Sequence, residues 1–137
     1  MTAQLGTHHF TAHLGEPPQL PRSAVETFRR PGQSQTGAKV HGSQSPEHQI
    51  TLVAHVAEAN RATTMHGYRA TVGTIVNLIL GGTNYGTGLS MNFLVVDVQV
   101  MESRAIPRFI GIVNAVAVDY SPAGRIVSQW TLVAVPT

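Results

Sequence analysis

The stretch FLVVDVQVMES at residues 93–103 decides the fold. Leu94, Val96, Val98 and Val100 alternate with Asp97 and Gln99, the period of two expected of a strand with one buried face. Phe93, Val95 and Met101 fall on the opposite, outward side. Apolar groups therefore stand on both faces, and each face needs cover from a second layer, a helix or another subunit.

Working outward, residues 109–119 and 125–135 read as two further strands. Between them lies YSPAGR, where Pro122 presets φ at the second turn position and Gly124 tolerates positive φ. Short connections between neighbouring strands predict an antiparallel meander. Upstream, GGTNYGTGLS at residues 81–90 is a glycine-rich loop. Its ordinary reading is a helix stop at Gly81 and Gly82 followed by a hairpin or bulge, with Tyr85 as an exposed aromatic anchor at the tip. Before it, Met65, Tyr68, Val72, Ile75 and Ile79 recur at helical spacing. That stripe predicts one helix over about residues 61–80, capped by Asn60 or Thr63, although Gly67, Gly73 and a run of β-branched residues lower the propensity.

Residues 49–56 alternate Ile50, Leu52, Ala54 and Val56 against Gln49, Thr51 and His55, a strand. Residues 7–14 alternate Phe10, Ala12 and Leu14 against His9, Thr11 and His13, another strand, and residues 24–30 offer a third anchored by Phe28. Residues 31–49 are polar, rich in Gly, Ser and Gln, and show no apolar period. They predict a long loop, either a linker or an arm ordered by a partner. The fold class expected is α+β, mostly antiparallel β. It is a β-sandwich or barrel with one flanking helix, made of residues 1–49 (N-terminal strands and polar arm) and 50–137 (β-rich core) as one domain.

Composition narrows the function. The 137 residues suit a single core. Without cysteine, thiolate zinc sites, thiol nucleophiles and redox pairs are excluded. Charged residues make up 12%, about half the usual share, which favours surface hidden against other copies or partners. The arginines are scattered, so no dedicated phosphate-binding cluster forms and nucleic acid is not the expected main ligand. No segment is long and apolar enough to span a bilayer, and the N-terminus lacks the pattern of a secretory leader, so a soluble, membrane-free protein is expected.

No motif for chemistry emerges. His8, His9 and His13 cluster, and His41, His48 and His55 recur at sevens. Yet His8 points away from His9 and His13 on a strand, and nothing resembles HExxH, so no metal site is assigned. Asp97 shares a face with Gln99, as a solvated or interfacial carboxylate would. There is no GxSxG elbow, and Gly81, Gly82, Gly86 and Gly88 do not form a phosphate loop. No catalytic residue and no cofactor are expected, and the chain reads as a non-enzyme.

The order of elements resembles the ring-forming tail proteins of tailed bacteriophages, a group of tail tube, distal tail, tail-completion and baseplate proteins. The resemblance rests on RRPGQSQTGAKVHG, ITLVAHV, a helix ending in NLILGG, FLVVDVQVMES and IVSQWTLVAVP. It implies a structural virion subunit in the phage tail, assembled in the host cytoplasm into a homo-oligomeric ring, usually hexameric, with neighbouring tail proteins as partners. Nucleic acid would meet it only by passage through the lumen. The lumen in those families is often acidic; this chain has a formal charge of +2, which directs the expectation to a connector, baseplate or accessory position. Lys39, His41, His48, Tyr85, Phe93 and Met101 are the candidate interface residues. Two alternatives are a capsid or head-decoration protein, and a small β-barrel ligand-binding domain using His9, His13 and His48.

Overall fold

The computed structural model describes residues 3–15, 22–29, 36–44 and 47–136; for 22–29 and 36–44 only backbone pairing is described. The elements in chain order are β1 (Ala3–Leu5), β2 (His8–Phe10), β3 (Ala12–Leu14), β4 (Arg22–Arg29), β5 (Thr36–Gln44) and β6 (Glu47–Ala57). There follow a 3-10 turn (Glu58–Asn60), α1 (Arg61–Ala70), β7 (Ile75–Val76), β8 (Leu78–Leu80), β9 (Thr83–Asn84) and α2 (Tyr85–Gly88). The chain closes with β10 (Met91–Ile106), β11 (Phe109–Val113), β12 (Val116–Tyr120) and β13 (Ala123–Pro136).

Two antiparallel sheets, ordered β2-β1-β8-β9 and β3-β6-β13-β10-β7, enclose one apolar core and do not close into a barrel. The fold is thus mostly antiparallel β with α+β character. Ala3, Leu5, Phe10, Leu78 and Leu80 line the inner face of the smaller sheet. Ile50, Leu52, Ile126, Trp130 and Leu132 line that of the larger. Tyr68 brings α1 onto the same core, edge-on to Trp130 with ring centroids 5.2 Å apart. Trp130 satisfies its indole N–H internally by donating to Ser128 Oγ at 2.8 Å.

β10 carries the main departure from simple alternation. Its register against β13 slips between Val95 and Asp97 and again between Val100 and Glu102. Each bulge inserts one unpaired residue and moves the following side chains to the opposite face. Met91, Phe93 and Val95 point inward before the first slip, and Val98 and Val100 after it. The outward assignment of Phe93 and Val95 is therefore corrected: both are buried, Phe93 at 1% exposure. Met101, the residue inserted at the second slip, stays exposed.

The helix expected over 61–80 ends at Ala70. Thr71, Val72, Thr74, Ile75 and Val76 are β-branched, and Gly73 takes φ 87° while donating its N–H to Val95 O at 2.8 Å. Pairing with the side of β10 thus outweighs a poor helix. Of the predicted stripe, Tyr68 is buried, but Val72 and Ile75 are exposed. Leu78–Leu80 becomes β8, and Gly81 and Gly82, both at positive φ, turn it into β9.

Four more expectations change. Residues 31–49 are not a structureless loop, because β5 and the start of β6 lie within them and β5 pairs with β4 as a hairpin. Residues 109–119 are not one strand but part of a hairpin, turning at Asn114 and Ala115 with φ 53° and 58°. Residues 7–14 bend at Thr11, so that β2 joins one sheet and β3 the other. Gly124 lies within β13, not at positive φ; a Cβ there would meet Arg61 Cδ at 2.9 Å, so glycine admits the stem of Arg61.

Candidate assembly interface

Two hairpins stand outside the main sheets. β4 pairs only with β5, and β11 only with β12, among the described strand pairings. An isolated two-stranded hairpin is at best marginally stable in water, so each ribbon needs something to lie against.

The β11–β12 ribbon is described in full. Phe109, Gly111, Val113, Val118 and Tyr120 share one face and are partly covered. At its base, Phe109 stacks on His55 with centroids 4.0 Å apart and planes 2° from parallel. Gly111 makes room for that ring, since a Cβ would lie 2.6 Å from Phe109 Cζ. The tip, Asn114 and Ala115, borders a cavity of about 180 Å³ beside Gln4, His9 and Ile79. The ribbon thus crosses the corner where the chain passes between sheets at Thr11. Arg108 and Asp119 clamp its base with two hydrogen bonds, 2.9 and 2.6 Å, which hold the Asp119 carboxyl below its usual range.

The opposite face of the ribbon is bare and carries Ile110 and Ile112 beside Ala117 and Asp119. Ile110 is 67% exposed and Ile112 57%; Val116, paired with Val113 at the tip and so on the other face, is 59% exposed. Single exposed aliphatics are ordinary, but Ile110 and Ile112 side by side on one short strand form a patch that water does not favour. A reading of 109–119 as one strand hides it. The available signal was Asn114 between two apolar runs, since Asn tolerates the left-handed conformation that a two-residue hairpin turn requires.

The sequence-nominated residues scatter. Met101 is exposed at 59%, as expected of a contact residue, whereas Tyr85 is buried at 6% and is not an exposed anchor. Asn84 accepts hydrogen bonds from Gly86 N and Thr87 N, starting α2 and folding Tyr85 inward onto Phe93 at 5.6 Å. Phe93 likewise belongs to the core. His48 sits opposite Leu132 on the inward register of β6, partly buried. Lys39 and His41 fall on β5, where side chains lie outside the described residues. Gly86 is a positional requirement, because a Cβ would sit 2.6 Å from Asn77 Oδ1, which accepts the Gly86 N–H. Gly86→Ala is expected to destabilise by roughly 1–3 kcal/mol, read as a lower midpoint in urea; an unchanged midpoint would refute the packing described.

His8 and His55 are held within the fold by threonine hydroxyls. Thr71 Oγ1 donates its one proton to Gly67 O, so the 2.7 Å contact makes His8 Nε2 the donor to Thr71. By the same reasoning Thr11 Oγ1 donates to Val53 O and accepts from His55 Nδ1 at 2.8 Å. Burial pushes both imidazoles below their ordinary pKa, reinforced at His8 by His9 and at His55 by Arg125, while a backbone hydrogen bond at Gly67 opposes the shift at His8. The sign follows: unfolded imidazoles protonate near pH 6.5, folded ones at lower pH. Stability is complete above that value and falls as pH drops toward the folded pKa. Thermal melts on either side of the ordinary histidine pKa, at about pH 7.5 and about pH 5.5, should differ by a few degrees, and His55→Gln should shrink the difference. Equal melting points would remove this role.

Among the described residues no three His, Asp or Glu side chains converge on a metal-sized site, and no helix is long and apolar enough to cross a membrane. A groove of about 570 Å³ beside Glu58, Asp119 and Tyr120 holds two carboxylates, each engaged by an arginine: Glu58 by Arg61 and Asp119 by Arg108. Asp97 is exposed, its Oδ1 accepting Val98 N at 2.8 Å. None of these is arranged for acid-base work. No protein-family model, curated protein or solved structure matches the chain.

Proposed function

We propose that this chain is a non-enzymatic structural subunit that assembles with copies of itself into a closed ring, in the tail or baseplate of a tailed phage. The observation that carries the self-assembly reading is the β11–β12 ribbon, whose outer face presents Ile110 and Ile112 with no cover in the monomer. The charged share of 12% supports it, because a low-charge surface is poorly suited to staying bare. A closed ring needs a heterologous contact, one side of the subunit against a different side of the next. The assignment to a tail, a hexameric count and a location in the virion rest on the resemblance in the order of elements. Of the segments carrying it, ITLVAHV, FLVVDVQVMES and IVSQWTLVAVP are strands. Leu78–Leu80 of NLILGG is a strand as well, where the resemblance implies a helix, so that segment lends it no support.

The test of place is microscopy of phage particles labelled with antibody to this chain, together with mass spectrometry of purified virions. The proposal expects label on the tail or its tip. Label on the head would convert the reading to a capsid or decoration protein, and absence from virions would remove it.

A further inference from the structure

β10 has a second surface without a partner. Its hydrogen-bonding edge away from β13 is occupied by β7 at Phe93 and Leu94, and by Gly73 and Thr74 at Val95. Beyond Val95, no described strand pairs with that edge over residues 96–106. A long open edge is a template for another strand. The two register slips divide it into regular stretches at residues 97–100 and 102–106, the second as long as either strand of the β11–β12 ribbon. Beside the edge, Met101 stands 59% exposed and Val96 39%.

We infer that this edge of β10 receives the β11–β12 ribbon of a second copy of the chain, continuing the five-stranded sheet from one subunit into the next. The inference rests on the self-assembly reading and specifies its geometry. Three features favour this occupant. The ribbon has two edges that pair with nothing else among the described strands, so its backbone donors and acceptors match a need on β10. Its bare isoleucines would come to lie beside Met101, covering apolar surface on both partners. The ribbon leans on His55 of β6 and reaches the corner beside β3, whereas the open edge of β10 lies toward the far end of the order β3-β6-β13-β10-β7. Donor and acceptor thus occupy opposite sides of one subunit, which permits head-to-tail propagation and closure.

Absence of native cysteine makes the test direct. Ile112→Cys and Met101→Cys are purified separately from the full chain, mixed, and oxidised; Ile110→Cys serves as a second ribbon position should register offset Ile112. All three native side chains are exposed, so the variants are expected to fold. The proposal expects a mixed disulfide dimer, one chain carrying Met101→Cys and the other Ile112→Cys or Ile110→Cys. Its yield should be at least about tenfold above like-with-like products, since a disulfide requires Cα atoms within about 7 Å. It also expects slower amide exchange over residues 96–106 as concentration rises. Like-with-like products in excess would replace head-to-tail docking by a symmetric contact. Slowed exchange without the mixed product would give the edge a different occupant. Either overturns the inference while self-assembly stands; a chain that stays monomeric throughout overturns both.

Discussion

Trp130→Ala is expected to cost about 3–5 kcal/mol of folding stability. That is a large share of the ~5–15 kcal/mol that holds a typical domain together. Trp130 is fully buried at the centre of the larger sheet and meets Phe10, Tyr68 and His8, which come from the smaller sheet and from α1. Truncation would open a cavity where three layers join and would remove the donor that binds Ser128 Oγ inside the core. Trp130→Phe keeps a ring in place and should cost less than half as much. Because Trp130 is the only tryptophan, unfolding is followed by far-ultraviolet circular dichroism in urea, not by fluorescence. A loss below about 1 kcal/mol for the alanine variant would contradict the core described here.

Ile110→Lys combined with Ile112→Lys is expected to leave the folded subunit nearly unchanged and to abolish assembly. Both side chains are mostly exposed, so the monomer should keep its stability within about 0.5 kcal/mol. In an interface, each isoleucine removed from water contributes roughly 1.5–3 kcal/mol, and a lysine in its place adds the cost of burying a charge. The combined effect is a weakening of self-association by at least about 100-fold. Sedimentation velocity over a concentration series reads it directly. Unaltered association would show that the ribbon face takes no part, and a collapse in monomer stability would show that the face is already covered within the subunit.

Strands with a buried inner face were legible in the sequence, and the reasons are local. Residues 49–56 alternate without interruption, and β6 follows them. The same logic misplaced Phe93, because a bulge costs a sequence nothing visible: Val95 and Val96 are both valines, and only the pairing with β13 shows which one is inserted. The helix failed beyond Ala70 for a tertiary reason, since the β-branched residues after it bond to β10. Hidden in the same way, the Ile110 and Ile112 face depends on a turn built from Asn114 and Ala115 in place of the stronger Asn-Gly signal. Tyr85 was misjudged because Asn84, read as loop, is a helix cap. Met101 alone among the nominated residues with described side chains combines an apolar side chain with an exposed position.

The central claim is self-association through the ribbon into a closed assembly. Light scattering coupled to size-exclusion chromatography, with negative-stain microscopy of the same fractions, tests it most directly on the purified, untagged chain across a concentration series. The expected result is one discrete multiple of the 14.6 kDa subunit, seen as rings, that disappears in the Ile110→Lys, Ile112→Lys variant. A monomer at every concentration, or an open-ended distribution of sizes without rings, would contradict it.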